Sequence, residues 1–124
     1  MPLESSDGKV LYYTKGSADA PFSEETVGLW RMAINGGQEN RVASAVSEFF
    51  WTTARAGIYF VDLAAKPKLR FIDPASGRIA TVSILQNQPF CCNPAVSVSS
   101  DGRNILYNQL DNSAVDIMLV DNFR

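Results

Sequence analysis

Aspartate supplies most of the side chains in this sequence that could do chemistry. From residue 62 onward there are six candidates: Asp62, Asp73, Asp101, Asp111, Asp116 and Asp121. Carboxylate oxygens can ligate calcium or act as an acid/base pair. Four of the six lie in turn or loop stretches, where an aspartate typically hydrogen-bonds to its own backbone. We therefore expect these residues to form turns, and we expect neither a metal site nor a catalytic pair.

Other reactive groups are scarce. The chain has no histidine, which removes Ser-His-Asp and Cys-His nucleophile systems and the commonest zinc ligand. Its two cysteines, Cys91 and Cys92, are adjacent, so a disulfide between them would be strained and we expect two free thiols. No Gly-rich phosphate-binding loop occurs. The sequence thus predicts a protein that is not an enzyme and that needs no cofactor.

Charge and hydropathy limit the partners. The formal net charge is −2, the pI is about 5.0, and the eleven lysines and arginines are scattered. Nothing here attracts a polyanion, so we expect no nucleic acid to bind this region and no anionic membrane to attract it. No apolar run approaches the roughly 18 residues of a membrane helix, and the first residues do not resemble a signal peptide. The compartment stays open.

The positions of these groups depend on a repeated strand-turn-strand pattern. Apolar and polar residues alternate in the stretch 95–107, an Asp101-Gly102 turn interrupts them, and Ile105-Leu106-Tyr107 follows. Stretch 3–12 repeats this order, and stretch 50–60 does so less clearly. Aligning the glycines at 8, 57 and 102 gives separations of 49 and 45 residues, and propeller blades repeat about every 40 to 50 residues.

The pattern predicts an all-β fold without helices, built from three consecutive four-stranded antiparallel blades of a β-propeller. We place blade 1 at about 1–44, blade 2 at about 45–85, and blade 3 at about 86–124. Residues 47–53 should form the first strand of blade 2. The sequence ends after only three strands of blade 3, so this last blade is incomplete. All 124 residues then form one domain, a partial propeller.

Aromatic residues occupy both faces of several predicted strands. Trp30, Phe49, Phe50 and Trp51 are candidates for packing blade against blade, and alternatively for binding a partner. Closed propellers contain roughly four to eight blades, so three blades leave two faces open. We therefore expect a protein partner or the remaining blades of a propeller to cover these faces, and a homo-oligomer when the chain is expressed alone. Glu24-Glu25 should lie in a solvated loop.

The turn motif resembles that of TolB-like, WD-repeat-like β-propellers. Ser99-Ser100-Asp101-Gly102 and Ser5-Ser6-Asp7-Gly8 match it, each followed by a basic residue and an apolar strand, although serine stands where the family usually has proline. The ending 116–124 is similar to that of bacterial proteins that join a winged helix to such a propeller. The resemblance implies the last blades of a larger ring, whose beginning would supply the missing outer strand, and it permits a periplasmic location.

These observations predict a non-catalytic interaction or scaffold module, the C-terminal part of a larger sensor or regulatory protein. Two alternatives stay open. The blades could accompany a hydrolase or peptidase domain, or they could bind calcium or a sugar. No winged helix is present in this sequence, so DNA binding is assigned to none of its residues.

Overall fold

Three antiparallel sheets make up the fold. The structure is a computed structural model that describes residues 2–16, 27–62, 64–90, 95–111 and 114–121. The first sheet contains β1 (Leu3–Glu4), β2 (Val10–Lys15), β3 (Gly28–Ala33) and β4 (Asn40–Ser44). The middle sheet contains β5 (Trp51–Ala54), β6 (Gly57–Asp62), β7 (Lys68–Ile72) and β8 (Ile79–Ile84). The last sheet contains β9 (Val96–Val98), β10 (Ile105–Asp111) and β11 (Ala114–Val120).

Each sheet is a meander in which consecutive strands are hydrogen-bonded neighbours. The predicted all-β class is confirmed, as are the two four-stranded units followed by one of three strands. No helix occurs in the part of the chain that the structure describes. Cys91, Cys92 and the Glu24-Glu25 loop lie outside the described residues, so the predictions about them stay predictions.

The β1–β2 turn is closed by a small hydrogen-bond network. The Ser5 hydroxyl donates to Oδ1 of Asp7 at 2.6 Å, and the same oxygen accepts the amide of Lys9 at 3.2 Å. Gly8 adopts a φ of 68°, a conformation that glycine enters without a steric penalty. Serine, aspartate and glycine therefore each have a defined role in reversing the chain.

The β9–β10 turn repeats that network atom for atom. Ser99 donates to Oδ1 of Asp101 at 2.6 Å, Asp101 accepts the Arg103 amide at 3.0 Å, and Gly102 has a φ of 70°. Ser6 and Ser100, which precede the two aspartates, therefore lie in two turns of the same geometry. The repeat in the sequence is a repeat in three dimensions.

The middle sheet turns differently. Gly57 pairs with Ala54, so only Arg55 and Ala56 connect β5 to β6. In the first sheet, Ser5 is the last residue before the turn and pairs with Val10; in the last sheet, Ser99 pairs with Asn104 in the same way. Val10 and Asn104 therefore correspond to Gly57. Aligning Gly57 with the turn glycines was therefore wrong by two residues. The structural repeat is 47 residues in both steps (57 − 10 and 104 − 57).

Close packing explains the glycine at position 57. A Cβ atom added there would collide with the carbonyl oxygen of Ile72 and would lie 2.7 Å from the Phe71 ring. That ring is held in place by Tyr59, with the two ring centroids 5.0 Å apart. The backbone of β6 can approach β7 this closely only without a side chain.

We predict that Gly57→Ala destabilises the protein by about 1–3 kcal/mol, because the methyl group forces β6 and β7 apart. Urea unfolding followed by circular dichroism measures this change. Gly16→Ala is the control, since a Cβ there would meet Val27 at an ordinary 3.5 Å and should change stability little. Equal effects of the two substitutions would contradict the packing argument.

Two apolar cores hold the three sheets together. The core between the first and middle sheets is formed by Tyr12, Leu29, Ala43, Val46, Trp51, Ile58, Phe60 and Ile72. The core between the middle and last sheets is formed by Phe50, Tyr59, Val61, Leu69, Leu85, Ala95, Val96, Ile105 and Tyr107. Strand β5 also contacts both β1 and β9, which gathers the first strands of the sheets on one side. The middle sheet is therefore covered on both faces.

A matching irregularity occurs in two of the sheets. The pairing of β3 with β4 shifts register between Leu29 and Trp30, and the pairing of β7 with β8 shifts between Leu69 and Arg70. Leu29 pairs with Thr14 and Leu69 with Val61, positions that are again 47 residues apart (61 − 14). The bulges therefore occupy the same place in both sheets.

Candidate functional site

The aromatic residues singled out in the sequence lie at three kinds of position. Phe50 and Trp51 are consecutive, buried, and packed in different cores: Phe50 toward the last sheet and Trp51 toward the first. Phe49 is 37% exposed and precedes the strand, which starts at Trp51 and not at residue 47 as the sequence suggested. Trp30 lies half-buried on the outer face of the first sheet. These positions leave Trp30 and Phe49 accessible to a partner.

We predict that Phe50→Ala destabilises the chain by about 3–4 kcal/mol, since it opens a cavity between the middle and last sheets. Phe49→Ala is the matched control: its ring is already partly in water, and the change should cost less than about 1 kcal/mol. Denaturant unfolding of the two variants gives the comparison. Similar losses would mean that Phe49 also packs between sheets.

Repeat positions define two kinds of sheet face. The leading face of a sheet is the one turned toward the next sheet along the chain, and the trailing face is turned toward the previous sheet. In β6, Tyr59 lies on the leading face, whereas Ile58 and Phe60 lie on the trailing face. The trailing face of the first sheet and the leading face of the last sheet have no sheet against them among the described residues.

The trailing face of the first sheet is termed the first flank. Tyr12 of β2 points toward the middle sheet, so its neighbours Leu11 and Tyr13 point away from it. Their cross-strand partners in β3, Met32 and Trp30, share that outward face. All four side chains are half-buried. The first flank is therefore an apolar and aromatic surface.

Charged residues surround Trp30 at one end of the first flank. The Lys15 ammonium lies 5.3 Å from the indole centroid and the Arg41 guanidinium 5.9 Å from it, both within cation–π range. Lys15 also forms an ion pair with Glu39 at 2.7 Å. The nearby Glu39 carboxylate also raises the pKa of Tyr13 to about 12. The indole ring of Trp30 therefore contacts two cationic side chains at this end of the first flank.

The leading face of the last sheet is termed the last flank. Met118 and Val120 of β11 pack inward on the core. The alternate residues Ile117 and Leu119 point outward and are 78% and 55% exposed, and Leu106 of β10, the partner of Leu119, is 43% exposed. Three aliphatic side chains on one face therefore stand in water.

The 47-residue repeat relates both flanks to the buried interior. Leu106 on the last flank corresponds to Tyr59 and to Tyr12, and both of these tyrosines are buried on leading faces. The last flank therefore uses a position that the two interior interfaces bury.

The first flank obeys the same rule. Leu11 corresponds to Ile58 and Ile105, and Tyr13 corresponds to Phe60 and Tyr107. All four counterparts are buried on trailing faces. Each flank is therefore built from the residue positions that form a sheet-to-sheet interface elsewhere in the same chain.

Two clefts open between the sheets at the end that carries the turns. One, of about 300 Å³, lies between the β1–β2 turn and the middle sheet, and the other, of about 490 Å³, lies between the middle sheet and the β9–β10 turn. Arg55 lines both. Hydrogen bonds from Ser5 and the Lys9 amide lower the pKa of Asp7, and those from Ser99 and the Arg103 amide lower the pKa of Asp101. The turns therefore hold ionised carboxylates beside the clefts.

We predict an acid-dependent contribution of these turns to stability. Because the pKa of each folded carboxyl lies below its ordinary value of 3.8, the stabilisation is fully present at neutral pH and is lost as the pH falls through the folded pKa. The double variant Asp7→Asn/Asp101→Asn should be less stable than the parent at pH 7, and the difference should shrink below about pH 4.

Urea unfolding midpoints at several pH values measure that difference. Ser100→Ala is the control, because in the described turn the hydrogen bonds to Asp101 come from Ser99 and Arg103, not from Ser100. A difference that is independent of pH would contradict the role given to the two carboxylates.

Of the other candidate aspartates, Asp62 and Asp73 have structural partners, and Asp121 is exposed just after β11. Asp73 accepts the Ser76 hydroxyl at 2.6 Å, and Asp62 pairs with Arg70 at 3.1 Å. The side chains of Asp111 and Asp116 lie outside the described residues. Within the described part, no three potential ligands gather to hold a metal ion, and no helix is long and apolar enough to cross a membrane.

Sequence reasoning missed the aliphatic residues of the last flank. The available signal was in β11, where Ile117 and Leu119 alternate with Met118 and Val120, so that both faces of one strand are apolar. Such a strand needs cover on two sides, whereas the described residues supply it on one. Phe50, just before β5, and Trp51, its first residue, show the same two-sided pattern, since they are buried in different cores.

The fold has a clear relative among solved structures. TolB from Acinetobacter baumannii superposes with a TM-score of 0.64 over 91% of this chain, at 19% sequence identity. The match covers 28% of the TolB chain, so the present chain spans less than a third of that structure. No protein-family model matches the sequence, and a comparison with curated proteins finds no significant match.

The chain therefore folds as consecutive blades of a β-propeller, the last of which is incomplete. More specifically, its fold is TolB-like. At 19% identity this likeness shows the fold alone.

Proposed function

We propose that this chain is a non-catalytic interaction module, whose two flanks bind further sheets of a larger β-propeller in a sensor or regulatory protein. The partner of each flank would be a protein sheet with apolar side chains on its facing side. The chain would contribute blades, and the assembled ring would contribute the ligand-binding surface.

The observation that carries this proposal is the correspondence between exposed and buried repeat positions. Leu106 is 43% exposed on the last flank, whereas its counterparts Tyr12 and Tyr59 are buried between sheets. Burying apolar surface contributes about 25 cal/mol per Å², so uncovered aliphatic side chains favour association. Exposed aliphatic side chains that share one face typically mark an interaction surface.

The size of the match supports the same proposal. A structure of which this chain covers 28% has room for further blades of the same type. Four-stranded blades bury their faces against neighbouring blades, so a segment of three sheets buries only the faces that lie between its own sheets. The first flank and the last flank are the two faces that this segment leaves for others.

A tandem fusion tests whether the flanks can stack. Two copies joined by a flexible linker bring the last flank of one copy to the first flank of the other at high effective concentration. We expect Ile117→Asp in both copies to lower the unfolding midpoint of the tandem by about 5 °C or more, and to increase binding of an apolar dye, because the change places a charge in a covered face.

The matched control is Ile84→Asp in both copies. Ile84 is 64% exposed on β8, an outer strand that belongs to neither flank. This tandem should behave like the parent tandem. If Ile117→Asp and Ile84→Asp shift the midpoint and the dye signal equally, the flanks do not stack and the proposed function is wrong.

A further inference from the structure

We infer that the free chain associates with one second copy of itself, first flank to last flank at two identical contacts, to form a closed ring of six sheets. This inference rests on the proposed function, because it assigns the occupant of the same two flanks when no other blades are attached.

The interior of the chain specifies how faces combine. At both internal interfaces a leading face packs on a trailing face: Tyr12 shares a core with Ile58, and Tyr59 shares a core with Ile105. Neither interface pairs two leading faces or two trailing faces. Among the described residues one face of each kind has no sheet against it, so a second copy offers each flank the kind of face that it meets inside the chain.

The number of copies follows from the sheet count. A single chain has three sheets, fewer than the four to eight blades of closed propellers, and three chains would exceed that range. Two chains give six sheets, within the range. Contacts between unlike faces form rings when the rotation closes, and a ring of two copies leaves neither flank open.

The last flank has a further feature that a covering sheet would complete. Asn108 lies on the same face as Leu106 and Ile117, and together these residues line a cavity of about 260 Å³. The Oδ1 atom of Asn108 is buried, and within the described residues it accepts no hydrogen bond. An unpaired buried acceptor is unfavourable unless a donor approaches. The first flank offers donors in Tyr13, Lys15 and Arg41.

Sedimentation of the full chain tests the inference. We expect the parent protein to sediment at twice the 13.6 kDa chain mass and to dissociate on dilution, with no larger species up to about 100 µM. Ile117→Asp should give monomers by disrupting the last flank, and Met32→Asp should give monomers by disrupting the first. Ile84→Asp, the matched exposed isoleucine, should remain dimeric.

Mixing the two monomeric variants distinguishes the geometry. Ile117→Asp retains an intact first flank and Met32→Asp an intact last flank, so the mixture should form a dimer through one contact, weaker than the parent dimer. If two last flanks met each other instead, Met32→Asp would stay dimeric and mixing would add nothing. Circular dichroism checks that each variant folds, and Met32→Gln replaces Met32→Asp if the half-buried site does not tolerate a charge.

Three results would overturn the inference: a monomeric parent at about 100 µM, a dimer that survives Ile117→Asp, or open-ended larger assemblies. A monomeric parent together with a tandem that responds to Ile117→Asp would reject self-association and leave the proposed function standing. A tandem that does not respond would reject both.

Discussion

The middle sheet carries apolar side chains on both faces, and a four-stranded sheet of this kind is stable only when both faces are covered. Phe50 and Trp51 illustrate this need for cover on both faces, since these two consecutive residues are buried in different cores. The first and last sheets supply the cover and thereby bury one face each. As a result of this stacking, the two end sheets each have one face with no sheet against it in the described part of the chain.

The turns fix the edges of the stack without taking part in its cores. Two of the three first turns use the same serine, aspartate and glycine contacts, and the middle sheet replaces them with a shorter connection. Stacking tolerates this difference because the residues that follow the turn, Ile58 in the middle sheet and Ile105 in the last, keep their faces. The packed positions therefore keep the same 47-residue spacing in all three sheets, whereas the first turn of the middle sheet differs from the other two.

Much of this fold could be predicted from the sequence. Alternation and turn motifs predicted three units of four, four and three strands because both signals are local. The placement of Gly57 could not be predicted in the same way, because its glycine is required by Phe71 and Ile72 on the next strand, a contact that local motifs do not encode. For the same reason Phe49 was grouped with Phe50, although the strand begins one residue after Phe50. The two flanks could not be predicted from the sequence, because local patterns do not show which face of a sheet is covered by another sheet.

The paired bulges at Leu29/Trp30 and Leu69/Arg70 affect the geometry of the stack as a whole. A bulge bends its strand and increases the local right-handed twist, so a sheet with a bulge and one without would lie on their neighbours at unequal rotations. Because the first and middle sheets bend at the same place, successive units can be related by nearly the same rotation. An arc of sheets closes without a gap or an overlap only if such angular errors do not accumulate. The two bulges, between the third and fourth strands of the first and middle sheets, thus give these two sheets a matching curvature.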